Sequence, residues 1–162
     1  MASTERTASL ESWTTQESSV LGNGTLRAQP LLARPKRVIV AEDDQEFRDL
    51  LVEAFEGAGF EVFQCADGTQ LAATLHATFD NEDGSVQAVV TDIRMPELSG
   101  LEILDGVREA NRDLPFFLIT AFGDEETHNK AMELNAIVVD KPFDVDDLVA
   151  LVAGLPGEVS VN

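Results

Sequence analysis

The stretch that decides the fold is Arg37-Val38-Ile39-Val40-Ala41-Glu42-Asp43-Asp44. Its apolar run does not alternate with polar residues, which is the mark of a strand covered on both faces. Three carboxylates follow at once. Beyond them, Gln45 to Glu56 places Phe47, Leu50, Leu51, Ala54 and Phe55 on one stripe and predicts an amphipathic helix. Asp44 suits its N-cap, where a carboxylate meets the positive end of the helix dipole. Gly57-Ala58-Gly59 ends it, since glycine takes the left-handed C-cap conformation readily.

Working outward, Phe60 to Gln64 alternates and predicts an edge strand. A second helix after Asp67-Gly68 carries Leu71, Ala72, Leu75 and Phe79, and Asp80 to Ser85 reads as polar loop. Val86 to Thr91, Leu114 to Thr120 and Ala136 to Val139 predict three further strands. Ser99 to Ala110, Asp124 to Leu134 and Asp144 to Ala153 predict the helices that follow them. Five strands alternating with five helices imply an α/β fold, a doubly wound parallel sheet with helices on both faces. Five units are too few for an eight-stranded barrel, and right-handed crossovers favour the strand order 2-1-3-4-5. In such sheets a site forms beyond the carboxyl ends of the strands, at the switch point between strands 1 and 3.

Those ends carry the chemistry. Strand 1 runs into Glu42-Asp43-Asp44, strand 3 into Asp92, strand 4 into Thr120-Ala121, and strand 5 into Asp140-Lys141-Pro142-Phe143. Carboxylates this close repel unless a cation intervenes. An all-oxygen set without His or Cys suits a hard ion, and few protein ligands leave room for waters, which favours Mg2+. Glu42, Asp43 and Asp92 are the candidate metal ligands. Asp92, on the central strand, is the candidate nucleophile for an aspartyl-phosphate. Lys141 would meet a phosphoryl oxygen as a point charge and Thr120 would donate a hydrogen bond to another. Taken one at a time, each residue has a plainer reading as cap, surface ion pair or strand-end β-former. Only their convergence on one sheet edge argues for chemistry.

Composition bounds the rest. The 162 residues are 44% hydrophobic and 25% charged, with a net charge of −19, ordinary for one globular domain apart from the charge. Residues 1–37 hold five Lys and Arg against three Glu, so six cations face 27 carboxylates in the remainder. Such a surface repels phosphate backbones and argues against nucleic acid as a partner. No apolar run reaches the roughly 20 residues of a membrane span, and no signal peptide is visible. The lone Cys65 cannot form an internal disulfide, and a cytoplasmic location is the expectation. Residues 1–35, rich in Ser, Thr, Gly and Gln, read as a flexible extension, 36–154 as the folded domain and 155–162 as a short tail.

These motifs resemble the receiver domains of two-component signalling, over about Lys36 to Ala153. The likeness lies in the acidic pair after Val38-Ile39-Val40-Ala41 and in Asp92-Ile93-Arg94-Met95-Pro96 with Ser99-Gly100. It extends to Ile119-Thr120-Ala121 and Asp140-Lys141-Pro142-Phe143. The resemblance implies a flavodoxin-like three-layer sandwich with Asp92 as phosphoacceptor. The register of the first helix puts the acidic pair at Glu42 and Asp43 rather than at Asp43 and Asp44. It further implies the backbone carbonyl of Arg94 as a Mg2+ ligand, Thr120 as switch hydroxyl, and a cis Lys141–Pro142 bond. The expected partners are a histidine kinase or histidine phosphotransfer protein, and a downstream protein. No output module is expected after the last helix. Signalling would then pass through the helix 4, strand 5, helix 5 face, or the domain would serve as a relay or phosphate sink. Beyond self-phosphotransfer and autodephosphorylation, no enzyme activity is expected.

Two departures stand out. Val138 occupies the strand 5 position where many receivers carry Tyr or Phe, and Asn135 to Asp140 is one residue short of the common pattern. A phosphorylation-independent scaffold is therefore the alternative. An aspartate-nucleophile phosphohydrolase is a lesser one, because it needs an acid where Arg94 stands.

Overall fold

The computed structural model describes residues 35–81, 85–111 and 113–156. The expected N-terminal extension and C-terminal tail lie outside these residues, apart from Pro35, Leu155 and Pro156. Along the chain, β1 (Arg37–Ala41), α1 (Gln45–Gly57), β2 (Glu61–Cys65), α2 (Gly68–Phe79) and β3 (Ala88–Asp92) are followed by α3 (Gly100–Ala110), β4 (Phe116–Thr120), α4 (Glu125–Glu133), β5 (Ile137–Asp140) and α5 (Val145–Ala153). The strands form one parallel sheet in the order β2-β1-β3-β4-β5, as the alternation of apolar runs and amphipathic stripes predicts.

The central strands send alternate side chains to opposite layers, because successive residues of a strand point to opposite faces. Val38, Val40, Ala88, Val90, Phe117 and Ile119 pack with Leu51 and Phe55 of α1 and with Leu148, Val149 and Val152 of α5. Ile39, Ala41, Val89 and Leu118 pack on the other side with Leu71 and Leu75 of α2, Ile103, Leu104 and Val107 of α3, and Ala131 of α4. Each fully buried Leu, Ile or Phe contributes about 1.5–3 kcal/mol relative to exposure. The outer strands are less covered: β2 buries only Cys65, and β5 has no fully buried residue.

Element ends differ from the sequence expectation by one or two residues for local reasons. Phe60 donates its amide to the Phe55 carbonyl as part of the helix exit, so β2 starts at Glu61. Pro115 has no amide proton to give to a ladder, and β4 starts after it. Asp44, Asp67, Ser99, Asp124 and Asp144 each cap the following helix through a side-chain oxygen. Every described helix therefore starts at the carboxyl edge of the sheet on a fixed polar residue, which anchors the loops that carry the site.

Candidate functional site

The site begins at the end of β1. Glu42 is 1% exposed and is held at both ends of its residue. Its amide donates to the Cys65 carbonyl (3.1 Å), and its own carbonyl accepts from the Arg48 guanidinium at 2.8 Å. One carboxylate oxygen accepts from the Asp44 amide at 3.1 Å. Asp43 is exposed, whereas Asp44 turns away to cap α1 by accepting from the Phe47 amide at 2.8 Å. The three adjacent acids thus separate by task. Carboxylate oxygens of Glu42, Asp43 and Asp92 lie within 4.8 Å of one another, and Asp44 is not part of that group.

Asp92 closes β3 opposite Ile119 of β4, one residue beyond the Thr91–Ala41 pair with β1, at 7% exposure. Its backbone is held tightly. The Thr91 hydroxyl donates to the Asp92 carbonyl at 2.9 Å, and the Ile93 amide donates to the Ile119 carbonyl. Gly100, the first residue of α3, lies directly against this turn: a Cβ there would fall 2.6 Å from the Asp92 carbonyl oxygen. The Ser99-Gly100 step is needed for that approach, and the Ser99–Glu102 capping box fixes the helix start beside it.

Thr120 ends β4 at 2% exposure. Its hydroxyl oxygen accepts from the Phe122 amide at 3.1 Å, which leaves the hydroxyl proton free of that bond. The Thr120 carbonyl accepts from the Lys141 amide at 2.8 Å, so β4 and the residue after β5 are joined at the site. The Lys141–Pro142 bond is cis, as the resemblance implied. The Lys141 ammonium reaches back across the sheet edge, 3.5 Å from Glu42 Oε2 and 3.9 Å from Asp92 Oδ1. Arg94 and Phe122 face each other above, the guanidinium carbon 5.1 Å from the ring centroid.

Electrostatics follow from this crowding. Burial, opposed by the Asp44 amide and reinforced by the charge of Asp92, raises the Glu42 carboxyl to about 7. Burial also lifts Asp92 above the ordinary carboxylate range; Lys141 draws it back and Asp43 pushes it further. One ammonium among three carboxylates leaves excess negative charge, and this all-oxygen donor set fits a hard divalent cation. The sequence expectation for Glu42, Asp43, Asp92, Thr120 and Lys141 therefore corresponds to one cluster at the carboxyl ends of β1, β3, β4 and β5. A concavity of about 500 Å3 lies elsewhere, among the C-terminal turns of α3 and α4, and is lined by Arg108, Glu133 and Asn135 among others.

Two contacts near the cluster escaped sequence reasoning. Phe47, assigned to the core stripe of α1, lies with its ring 4.6 Å from the Lys141 ammonium. His128 of α4 places Nε2 3.1 Å from an Asp140 carboxylate oxygen. The only sequence hint of either was that Asp140 and Phe143 flank Lys141 in a single motif.

The model of the response regulator receiver domain matches residues 38–153. The response regulator receiver protein CpdR of Brucella abortus (strain 2308) is 35% identical over 115 residues, covering 70% of this chain and 91% of that protein. The regulatory protein AtoC of Escherichia coli (strain K12) is 35% identical over 117 residues, or 72% of this chain but 24% of AtoC. A probable transcriptional regulatory protein of Picosynechococcus is 31% identical, and this chain spans 48% of it. The chain thus spans less than half the length of some curated relatives. Among solved structures, the Francisella response regulator 1452 receiver domain superposes with a TM-score of 0.65 at 25% identity, covering 74% of this chain and 94% of that one. Family match, sheet order and strand-end acids agree, and the chain belongs to the response regulator receiver domains, the phosphoacceptor switches of two-component signalling.

Proposed function

We propose that Asp92 accepts a phosphoryl group from a histidine kinase or histidine phosphotransfer protein, and that this domain signals through contacts with a downstream protein from a cytoplasmic location. The observation that carries the reading is the buried Asp92 carboxylate flanked by the Lys141 ammonium at 3.9 Å and by Glu42 and Asp43 within 4.8 Å. In the transfer, an Asp92 oxygen attacks phosphorus, a P–O bond forms as the P–N bond of phosphohistidine breaks, and the imidazole leaves with the electron pair. Lys141 offsets charge on one phosphoryl oxygen, and the free hydroxyl proton of Thr120 suits donation to another.

Glu42, Asp43, Asp92 and the backbone carbonyl of Arg94 would hold Mg2+, which offsets the negative charge of the incoming phosphoryl group when bound. Burial, with the charge of Asp92 beside it, disfavours the ionised Glu42 carboxylate, and a bound cation would offset both. The test is an intact-mass spectrum after incubation with acetyl phosphate and Mg2+. One added phosphoryl group, absent with a chelator and absent in Asp92→Asn, is the expected result. A folded wild-type protein that gains no adduct and hydrolyses no acetyl phosphate would instead favour a phosphorylation-independent binding module.

A further inference from the structure

The carboxylates beside the Lys141 ammonium hold it only loosely. The ammonium lies 3.5 and 3.9 Å from the carboxylate oxygens of Glu42 and Asp92, longer than the roughly 2.7–2.9 Å of a direct charge-assisted hydrogen bond. A lysine head on a flexible four-carbon stem loses rotamer freedom wherever it is fixed. Two long contacts on one side do little to select one position.

The remaining contact is aromatic. The ammonium sits 4.6 Å from the centroid of the Phe47 ring, inside the roughly 6 Å range of cation–π attraction. That ring is itself held. Phe143 meets it edge-on, with centroids 5.9 Å apart and planes at 77°. The Phe47 amide donates to the Asp44 side chain that caps α1. Lys141 and Phe143 leave the same turn two residues apart and both engage Phe47. The first turn of α1 therefore carries the ring on the same short segment that supplies Glu42 and Asp43.

We propose that Phe47 is a positioning residue: its ring face, braced by Phe143, fixes the Lys141 ammonium between itself and the Glu42 and Asp92 carboxylates. The consequence for phosphoryl transfer rests on the proposed role of Asp92, but the positioning does not. A Leu at 47 keeps the apolar bulk of the α1 stripe and loses the ring face, whereas Tyr or Trp keeps it.

The chain has three lysines, Lys36, Lys130 and Lys141, so lysine labelled with 13C gives three ε-methylene signals. In wild-type protein and in Phe47→Tyr, the Lys141 signal is expected upfield of the other two by the ring current. In Phe47→Leu it returns to their position. The rate of labelling by acetyl phosphate is expected to fall about threefold to tenfold in Phe47→Leu and to stay near wild type in Phe47→Tyr and Phe47→Trp. A wild-type Lys141 signal level with the other two overturns the proposal without any variant having to fold. Equal labelling rates for the Leu and Tyr variants overturn its consequence for phosphorylation. A protein that takes no phosphoryl group but shows the upfield signal keeps the positioning and loses only the reading of Asp92.

Discussion

The His128 ring lies between two acceptors: Nδ1 is 2.9 Å from the Asp124 carbonyl and Nε2 is 3.1 Å from Asp140 Oδ2. Neutral imidazole has one N–H and satisfies one of them; imidazolium satisfies both. This pair spans the β4–α4 connection, where Gly123 is so enclosed that a Cβ would come within 2.5 Å of both Asp140 Oδ1 and His128 Cε1. The bond to the Asp124 carbonyl, with the Asp140 carboxylate next, raises the His128 ring above its ordinary 6.5.

A raised folded-state value means the stabilisation is complete below the unfolded value of about 6.5 and fades as pH rises through the folded one. Wild-type protein is therefore expected to lose part of its urea midpoint as pH rises above about 6.5. His128→Gln should be less stable at pH 6 and flatter across that range. Parallel curves for the two proteins would remove His128 from the account.

Glu42 gives a second slope of the same sign at lower pH. Its carboxyl stands at about 7 against an ordinary 4.5, so its contribution is present below 4.5 and is lost as pH rises through 7. In chelator, stability is expected to fall across that window, and Glu42→Gln should flatten the fall. Mg2+ at a hundred times its Kd should add about 2.7 kcal/mol near neutral pH, and less in the variant. Chemical denaturation with and without Mg2+ at pH 4.5, 5.5 and 7.5 measures both effects.

Two glycines of α3 predict opposite outcomes. Gly100→Ala drives a methyl into the Asp92 carbonyl oxygen at 2.6 Å, a backbone atom that cannot yield without moving β3, and should cost about 1–3 kcal/mol. Labelling by acetyl phosphate should drop with it, since the turn that displaces is the one carrying Asp92. Gly106 meets nothing within 4 Å. On an exposed helix interior, Gly106→Ala should stabilise by about 0.5–1 kcal/mol with labelling unchanged. A thermal melt of the pair, beside the wild type, decides it.

Phe122 is 70% exposed, an unusual place for a large ring, and rests against the Arg94 guanidinium. Arg94 and Phe122 each stand two residues beyond a site residue, Asp92 and Thr120. Removing the ring should open the phosphoryl group to water. The expected result for Phe122→Ala is dephosphorylation faster by about threefold, the equivalent of ~0.7 kcal/mol of lost contact. A lifetime equal to wild type, followed by intact mass over time, excludes the ring from this role.

What the sequence alone determined is the layered sheet and the edge at which chemistry gathers. Non-alternating runs such as Val38–Ala41 and Phe116–Ile119, short, β-branched or aromatic and bounded by polar or turn residues, are the mark of strands covered on both faces. Strands alternating with amphipathic helices then force parallel pairing. The carboxyl ends must converge, bringing Glu42, Asp43, Asp92, Thr120 and Lys141 to one edge.

The tertiary structure decided which of several equivalent residues does what. Asp44 reads as a cap from its place before α1, but that Glu42 is buried with its carboxylate beside those of Asp43 and Asp92 appears only in the fold. Phe47 reads as core from its helical spacing, but the turn at Lys141-Pro142-Phe143 sets an ammonium over its ring. His128 and Asp140 look like surface residues of two separate elements until β5 is laid beside β4. Hydrophobic periodicity records which face of an element is buried, and is silent on which side chain of a distant element lies across from it. That second relation depends on distances of a few ångströms between chain segments up to 99 residues apart, and packing alone sets them.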